Sequence, residues 1–283
     1  MDRLIVLGTG TAIVTRYYNT SFILDNGEGY FLVDGLGGRE VLTQFQELNL
    51  DWTKLHHAFL THNHTDHLLG MIWVIRMIAY QMVWGKYDGD FTLFGHQELL
   101  DSVRCICKIC LQPREFAMMD QRILLVCVMD GESRKIMDYD VTFFDIRSKK
   151  DRQFAFALRY GIGKKLVFFG DEPPCESGKS QLLDADWMLA EAFCLYDERH
   201  IHTPYDYHHS TVKEPSEIAE AYGVKNLVLW HSEDTTTYGR RKELYSEESK
   251  RYYRGNIWVP DDGEIISLDD TANDSNQLGT FNI

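Results

Sequence analysis

Thr61-His62-Asn63-His64-Thr65-Asp66-His67 is the stretch from which the fold of this chain is read. It follows an apolar run, His57-Ala58-Phe59-Leu60, that reads as a strand, and it precedes Leu68 to Val83, which is apolar at helical spacing. The cluster therefore lies between a strand and a helix N-terminus, where α/β folds place their chemistry. A loop of this kind turns His62, His64, Asp66 and His67 toward one point, and imidazoles with a carboxylate are preferred ligands of zinc, manganese or iron(II). A lone histidine is more often a satisfied surface or core residue. Four ligand-type side chains this close together point to a metal.

Outward from the cluster, β-type runs at Leu4 to Leu7, Thr20 to Leu24 and Tyr30-Phe31-Leu32-Val33-Asp34 are separated by Gly-rich or Asn/Asp/Gly turns and form a meander. A helix from Gly38 to Leu48 follows. Beyond the cluster, strands are expected at Phe91 to Phe94, Ile123 to Val128, Val141 to Ile146 and Phe154 to Leu158. A hairpin turn over Arg159 to Lys165 then leads into Leu166-Val167-Phe168-Phe169-Gly170-Asp171. A helix from Pro215 to Ala221 leads to a strand from Lys225 to Trp230 that ends at His231. Strands followed by helix occur once in each half. Two such halves stack sheet on sheet with helices outside, a four-layered αββα sandwich of the α/β class. With no linker, residues 1–270 read as a single domain and 271–283 as a loose polar tail.

The chain has 283 residues, 44% hydrophobic and 25% charged, enough to bury a sizeable core. The N-terminal apolar run is too short for a signal peptide, and no run approaches the roughly 18 apolar residues that span a bilayer. A cytoplasmic location with no membrane partner is expected. At this size the six cysteines need form no disulfide framework, so reduced thiols are the default. Cys105, Cys107 and Cys110 would bind metal only with a fourth ligand such as His96, and Cys105 and Cys107 fall on different helix faces. The net charge of −14 repels polyanions. Lys149-Lys150, Arg152 and Lys164-Lys165 offer at most a local basic rim, and a solvated surface is the plainer reading.

His-x-His-x-Asp-His after an apolar strand resembles the signature of the metallo-β-lactamase superfamily, and the chain is most similar to its ribonuclease Z branch. The likeness takes in Leu7-Gly8-Thr9-Gly10-Thr11-Ala12, Leu60 through Gly70, Phe169-Gly170-Asp171, Ala190-Glu191-Ala192-Phe193, His209-Ser210-Thr211 and Leu227-Val228-Leu229-Trp230-His231-Ser232. The resemblance implies a hydrolase using a metal-activated hydroxide on a phosphodiester or related ester. It implies paired divalent ions, zinc foremost with manganese or iron as alternatives, bridged by Asp171. Asp66, His67 and His231 complete one ion's ligands, and His62 and His64 hold the other. Asp66 also orients or deprotonates the water, and Glu191 with His209 forms a dyad that protonates the leaving oxygen. A homodimer is implied as well.

The chain departs from the family pattern in two places. The family's further histidine ligand is absent from Asp145-Ile146-Arg147-Ser148-Lys149-Lys150-Asp151-Arg152-Gln153-Phe154, where Ser148 or Lys149 takes its place. Either Asp145 or Asp151 substitutes, or waters fill the shell, or a single ion is held by Asp66, His67, Asp171 and His231. A weak or substituted first site is the favoured reading. The family's long arm that grips tRNA is also replaced by the short turn Tyr160-Gly161-Ile162-Gly163. Phosphate contacts by Lys and Arg supply most nucleic-acid affinity, so the short turn and the negative charge disfavour a nucleic-acid substrate. A small phosphate ester or other ester is the expected partner, with His202 and His208 lining the pocket mouth beside Tyr205-Asp206-Tyr207. The rival readings are a tRNA 3′-end endonuclease, a thioester, lactone or amide hydrolase, and a metal-binding sensor with a degenerate first site.

Overall fold

The central strands are apolar on both faces. On Arg3–Gly8 (β1), Leu4 and Val6 enter one buried cluster while Ile5 and Leu7 enter another, the two-residue period of an extended chain. Such a strand needs a layer on each side. The computed structural model describes residues 2–269 and supplies those layers as two seven-stranded sheets face to face.

The first sheet takes β1, Ser21–Asp25 (β2), Tyr30–Val33 (β3), Leu55–Phe59 (β4), Phe91–Gly95 (β5) and Ile123–Cys127 (β6). The second takes Ser133–Ile136 (β7), Tyr139–Asp145 (β8), Phe154–Tyr160 (β9), Lys164–Phe168 (β10), Trp187–Glu191 (β11), Asn226–Trp230 (β12) and Asn256–Trp258 (β13). Ile265–Ser267 (β14) returns to pair antiparallel with β1. Each sheet begins as an antiparallel meander and continues parallel, from β3 through β6 in the first and from β10 through β13 in the second. The strand pattern expected once in each half is thus present in both sheets.

Between the sheets lies an aromatic layer. Phe22 packs on Phe168 and Trp230 at ring-centroid distances of 5.1 and 5.0 Å, and Phe59 meets Phe143 at 5.0 Å. Outside the first sheet, Glu40–Glu47 (α1), Thr65–Val83 (α2) and Gln97–Cys110 (α3) bury Val41, Phe45, Met71, Ile75 and Val103 against Ile5, Ile23 and Leu32. Pro113–Phe116 (α4), Glu176–Lys179 (α5) and Arg199–His202 (α6) are single turns. Lys213–Tyr222 (α7) and Arg241–Ser249 (α8) cover the second sheet through Ala219 and Tyr245. The result is the αββα sandwich.

Helix α2 begins at Thr65, earlier than the apolar pattern suggests. Its first turn, Thr65-Asp66-His67, is polar and contributes nothing to that pattern. Asp66 nevertheless suits the helix N-terminus, where the dipole favours negative charge. Cys105 is exposed and Cys107 buried, as opposite faces of α3 require, and Cys105, Cys107, Cys110, Cys127 and Cys194 are free thiols. Among the described residues no helix is long and apolar enough to cross a membrane. The expected tail at 271–283 lies outside the described residues.

Candidate active site

The parallel strands deliver their C-terminal ends to one edge of the sandwich. β4 hands the chain through Leu60 and Thr61 to His62. β10 runs into Asp171, β11 ends on Glu191, and β12 is followed by His231. The parallel register, Phe168 beside Leu189 and Glu191 beside Trp230, sets these ends side by side. Gly170 turns the chain at φ +79°, a conformation that costs a side-chain-bearing residue strain.

Six predicted residues converge in two groups, His62 with His64 and Asp171, and Asp66 with His67 and His231. In each group the ligand-type atoms lie within 4.8 Å of one another. In the second group, His67 Nδ1 is 2.7 Å from Asp34 Oδ2 and His231 Nδ1 is 3.0 Å from Thr20 Oγ1. Those bonds orient both rings so that Nε2 faces inward, 3.1 Å from Asp66 Oδ2 for His67 and 3.8 Å from Asp171 Oδ2 for His231. His67 Nε2 and Asp171 Oδ1 are buried without a hydrogen-bond partner. Orphaned polar atoms of this kind are costly unless something satisfies them, and these donors fit a divalent cation.

In the first group, His62 Nδ1 is held by Thr61 Oγ1 at 2.9 Å and Gln153 Nε2 at 3.1 Å, while His62 Nε2 lies 2.8 Å from His64 Nδ1. Electrostatics differ across the cluster. Burial opposes ionisation of Asp171, yet the charges of His62, Lys150 and His231 hold its carboxyl well below the ordinary range. Burial likewise disfavours the cationic form of His67, but Asp66 and Asp34 prevail and raise its pKa well above the usual histidine value. Burial dominates at His231 and brings it down to about 3.

Neither Ser148 nor Lys149 reaches the site; Lys150 does, with Nζ 3.5 Å from Asp171 Oδ2 and 3.4 Å from the Asp171 carbonyl oxygen. Ser148 turns its hydroxyl to Glu172 Oε1 and accepts from the Lys150 and Asp151 amides, bending the loop so that the next lysine points inward. Neither Asp145 nor Asp151 belongs to either ligand group. Asp145 pairs with Arg147 and Arg152, and Asp151 accepts from the amides of Asn63 and Arg152. The basic residues form no common rim either, since Arg152 pairs with Glu98, Lys164 with Asp269, and Lys165 donates to the Leu183 carbonyl.

Glu191 and His209 meet as expected, Oε2 to Nδ1 at 2.8 Å. The other Glu191 oxygen accepts from the amide and hydroxyl of Ser210. Burial raises the Glu191 pKa against the pull of His209, and the same ion pair raises His209 against its own burial. Phe193 stacks on the His209 ring at 4.9 Å. The cavity in front measures about 670 Å³ and is shared by His64, Asp66, Asp171, His209 and His231 with the apolar Ile13, Phe193, Ile201 and Tyr207. His202, Asp206 and His208 line it too, whereas Tyr205 turns away to Glu214. Asp34, Thr20, Gln153 and Lys150 were missed as site residues. Only Asp34 had a local signal, an acid at a strand end followed by glycine in Val33-Asp34-Gly35.

An αββα sandwich with these ligand groups at its strand ends defines a metal-dependent hydrolase of the metallo-β-lactamase superfamily, in the ribonuclease Z-like branch. The chain belongs to the family described as anti-Pycsar protein Apyc1, whose profile matches residues 2–237. It is similar to ribonuclease Z of Macrococcus caseolyticus, 24% identical over 293 residues that cover 87% of this chain and 93% of that protein. Its fold is that of the metallo-β-lactamase fold protein YhfI from Bacillus subtilis, with TM-score 0.77 and 17% identity over 94% of this chain and 98% of that one. The short form of human tRNase Z superposes with TM-score 0.70 at 18% identity, covering 94% and 99%.

Proposed function

We propose that the chain hydrolyses a small organic phosphodiester, and that this hydrolysis underlies the antagonist's role in the family description. The observation that carries the reading is the Glu191–His209 pair, aimed at the cavity that both ligand groups share. Asp66, His67, Asp171 and His231 would hold a divalent ion, and the histidine and carboxylate donors favour zinc. Such an ion supplies Lewis-acid polarisation of the phosphoryl group and activation of water near neutral pH. Asp66 orients that water. Buried Glu191 holds His209 at Nδ1 and raises its pKa against burial and the nearby Lys150, so that Nε2, which meets the cavity, is placed to supply a proton to the departing oxygen. Ile13, Phe193, Ile201 and Tyr207 pack the organic part of the substrate.

The short β9–β10 hairpin supports a small substrate over tRNA. Lys164 pairs with Tyr160 across only Gly161-Ile162-Gly163, which leaves no basic arm. A homodimer is supported by the apolar stripe of Leu69, Trp73 and Tyr80 exposed along α2 and Trp84 just past its end, and a cytoplasmic location by the free thiols of Cys105, Cys107, Cys110, Cys127 and Cys194. The test is hydrolysis of bis(p-nitrophenyl) phosphate by the purified protein and Asp171→Ala. Zinc-dependent turnover lost in the variant is expected. No turnover with added zinc or manganese would sink the reading and leave a metal-binding sensor.

A further inference from the structure

The two ligand groups differ in what they leave unsatisfied. In the second group, the inward Nε2 of His67 has no hydrogen-bond partner. In the first, Asp171 Oδ1 is without a partner, but His62 Nε2 and His64 Nδ1 lie 2.8 Å apart, so one proton between them satisfies both rings. Asp171 Oδ2 lies between the groups, 3.6 Å from His62 Nε2 and 3.8 Å from His231 Nε2, and already has a cation beside it, the ammonium of Lys150 at 3.5 Å.

Lys150 is also delivered deliberately by its loop. Ser148 Oγ accepts from the Lys150 amide at 3.1 Å and the Asp151 amide at 3.3 Å, and Asn63 N donates to Asp151 Oδ2 at 3.3 Å. These bonds tie the loop to the histidine segment. The Lys150 side chain is 18% exposed and reaches between Asp171 and His209 Nε2, the latter at 3.5 Å. A resident ammonium there repels a divalent ion, since the low dielectric of a buried site strengthens like-charge repulsion.

We propose that Lys150 stands in for the ion of the first group, so that the chain holds one divalent cation, at Asp66, His67 and His231 with Asp171, and a fixed ammonium where a second ion would sit. This rests on the hydrolase reading for its purpose but is tested apart from it. His62 and His64 then act as a hydrogen-bonded wall of the cavity. The donors of that group do not fit an ion while Lys150 is in place.

The experiment counts zinc. Metal-free protein is titrated with zinc, freed of excess by dialysis, and read by native mass spectrometry with elemental analysis for wild type, Lys150→Met and Lys150→His, each checked for folding by circular dichroism. Wild type is expected to retain one ion per chain and both variants two. Two ions in wild type held within about tenfold of each other in affinity, or one ion in both folded variants, would overturn the proposal. The wild-type count decides it even if neither variant folds. Turnover on the same samples separates the two readings. One ion without turnover removes the hydrolase reading and leaves Lys150's place intact; two ions with turnover does the reverse.

Discussion

His209 is poised by contacts on three sides, with Glu191 at Nδ1, Phe193 on its face, and Lys150 Nζ beside Nε2 where that atom meets the cavity. If it protonates the departing oxygen, its importance depends on how badly that oxygen needs a proton. His209→Ala is expected to lower kcat about 10²–10⁴-fold on a phosphodiester with an alkoxide leaving group, and much less on one that releases p-nitrophenolate. Equal losses on both substrates would mean that the ring only shapes the pocket. Asp34 acts one bond further out, fixing the His67 ring from behind. Asp34→Asn should weaken zinc binding by about 10–100-fold, read by competition with a chromophoric chelator, with the circular dichroism spectrum unchanged.

At the scale of elements, the placement of α2 depends on two glycines. A Cβ on Gly70 would lie 1.6 Å from the carbonyl oxygen of Gly35, and one on Gly35 would lie 2.0 Å from Met71 N. The helix and the loop after β3 also exchange hydrogen bonds there, Gly35 N to His67 O and Gly70 N to Leu36 O. Gly70→Ala must push α2 away and carry Asp66 and His67 with it. Both a lower Tm and weaker zinc binding are expected; a rise in Tm from the better helix former would show that the contact yields. The loop after β12 is held by Glu233, which accepts from the amides of Thr235, Thr236 and Thr237 and the Thr237 hydroxyl. Burial works against its charge, but these donors prevail and bring its pKa down to about 2 from the ordinary 4.5. With the folded pKa depressed, its stabilisation is full above about pH 4.5 and fades as pH falls toward 2. Glu233→Gln should therefore lower unfolding free energy at pH 7, by roughly 1.5–3 kcal/mol as for hydrogen bonds to a charged group, with the gap from wild type closing at acid pH in denaturant titrations.

For the whole molecule, the net charge of −14 acts against an anionic substrate. Salt screens that repulsion, the screening length falling from about 30 Å near 0.01 M to about 10 Å near 0.1 M. The kcat/KM for a small phosphodiester should thus rise with ionic strength over that range, opposite to the steep fall expected of a tRNA enzyme gripping phosphates. A falling profile would return nucleic acid to consideration. The inter-sheet layer gives a further check, since Phe22 meets both Phe168 and Trp230. Phe22→Ala should cost about 3–5 kcal/mol of unfolding free energy, measured by urea denaturation.

What the sequence determined alone is what lies close together along it. His62, His64, Asp66 and His67 share one loop, so their convergence required only the strand before and the helix after. The order of strands then helix in each half likewise implied stacked sheets with helices outside before any pairing was known. Asp171, Glu191, His209 and His231 became legible only through the family resemblance, because no local pattern marks them. The tertiary structure decided the rest. Asp34 serves His67 because β3 lies beside β4 in parallel register, and Thr20 serves His231 across a separation of 211 residues. Lys150, rather than Ser148 or Lys149, enters the site because the Ser148 turn rotates the loop, and side-chain direction in an irregular loop follows from hydrogen bonds between distant residues rather than from any repeat in the chain.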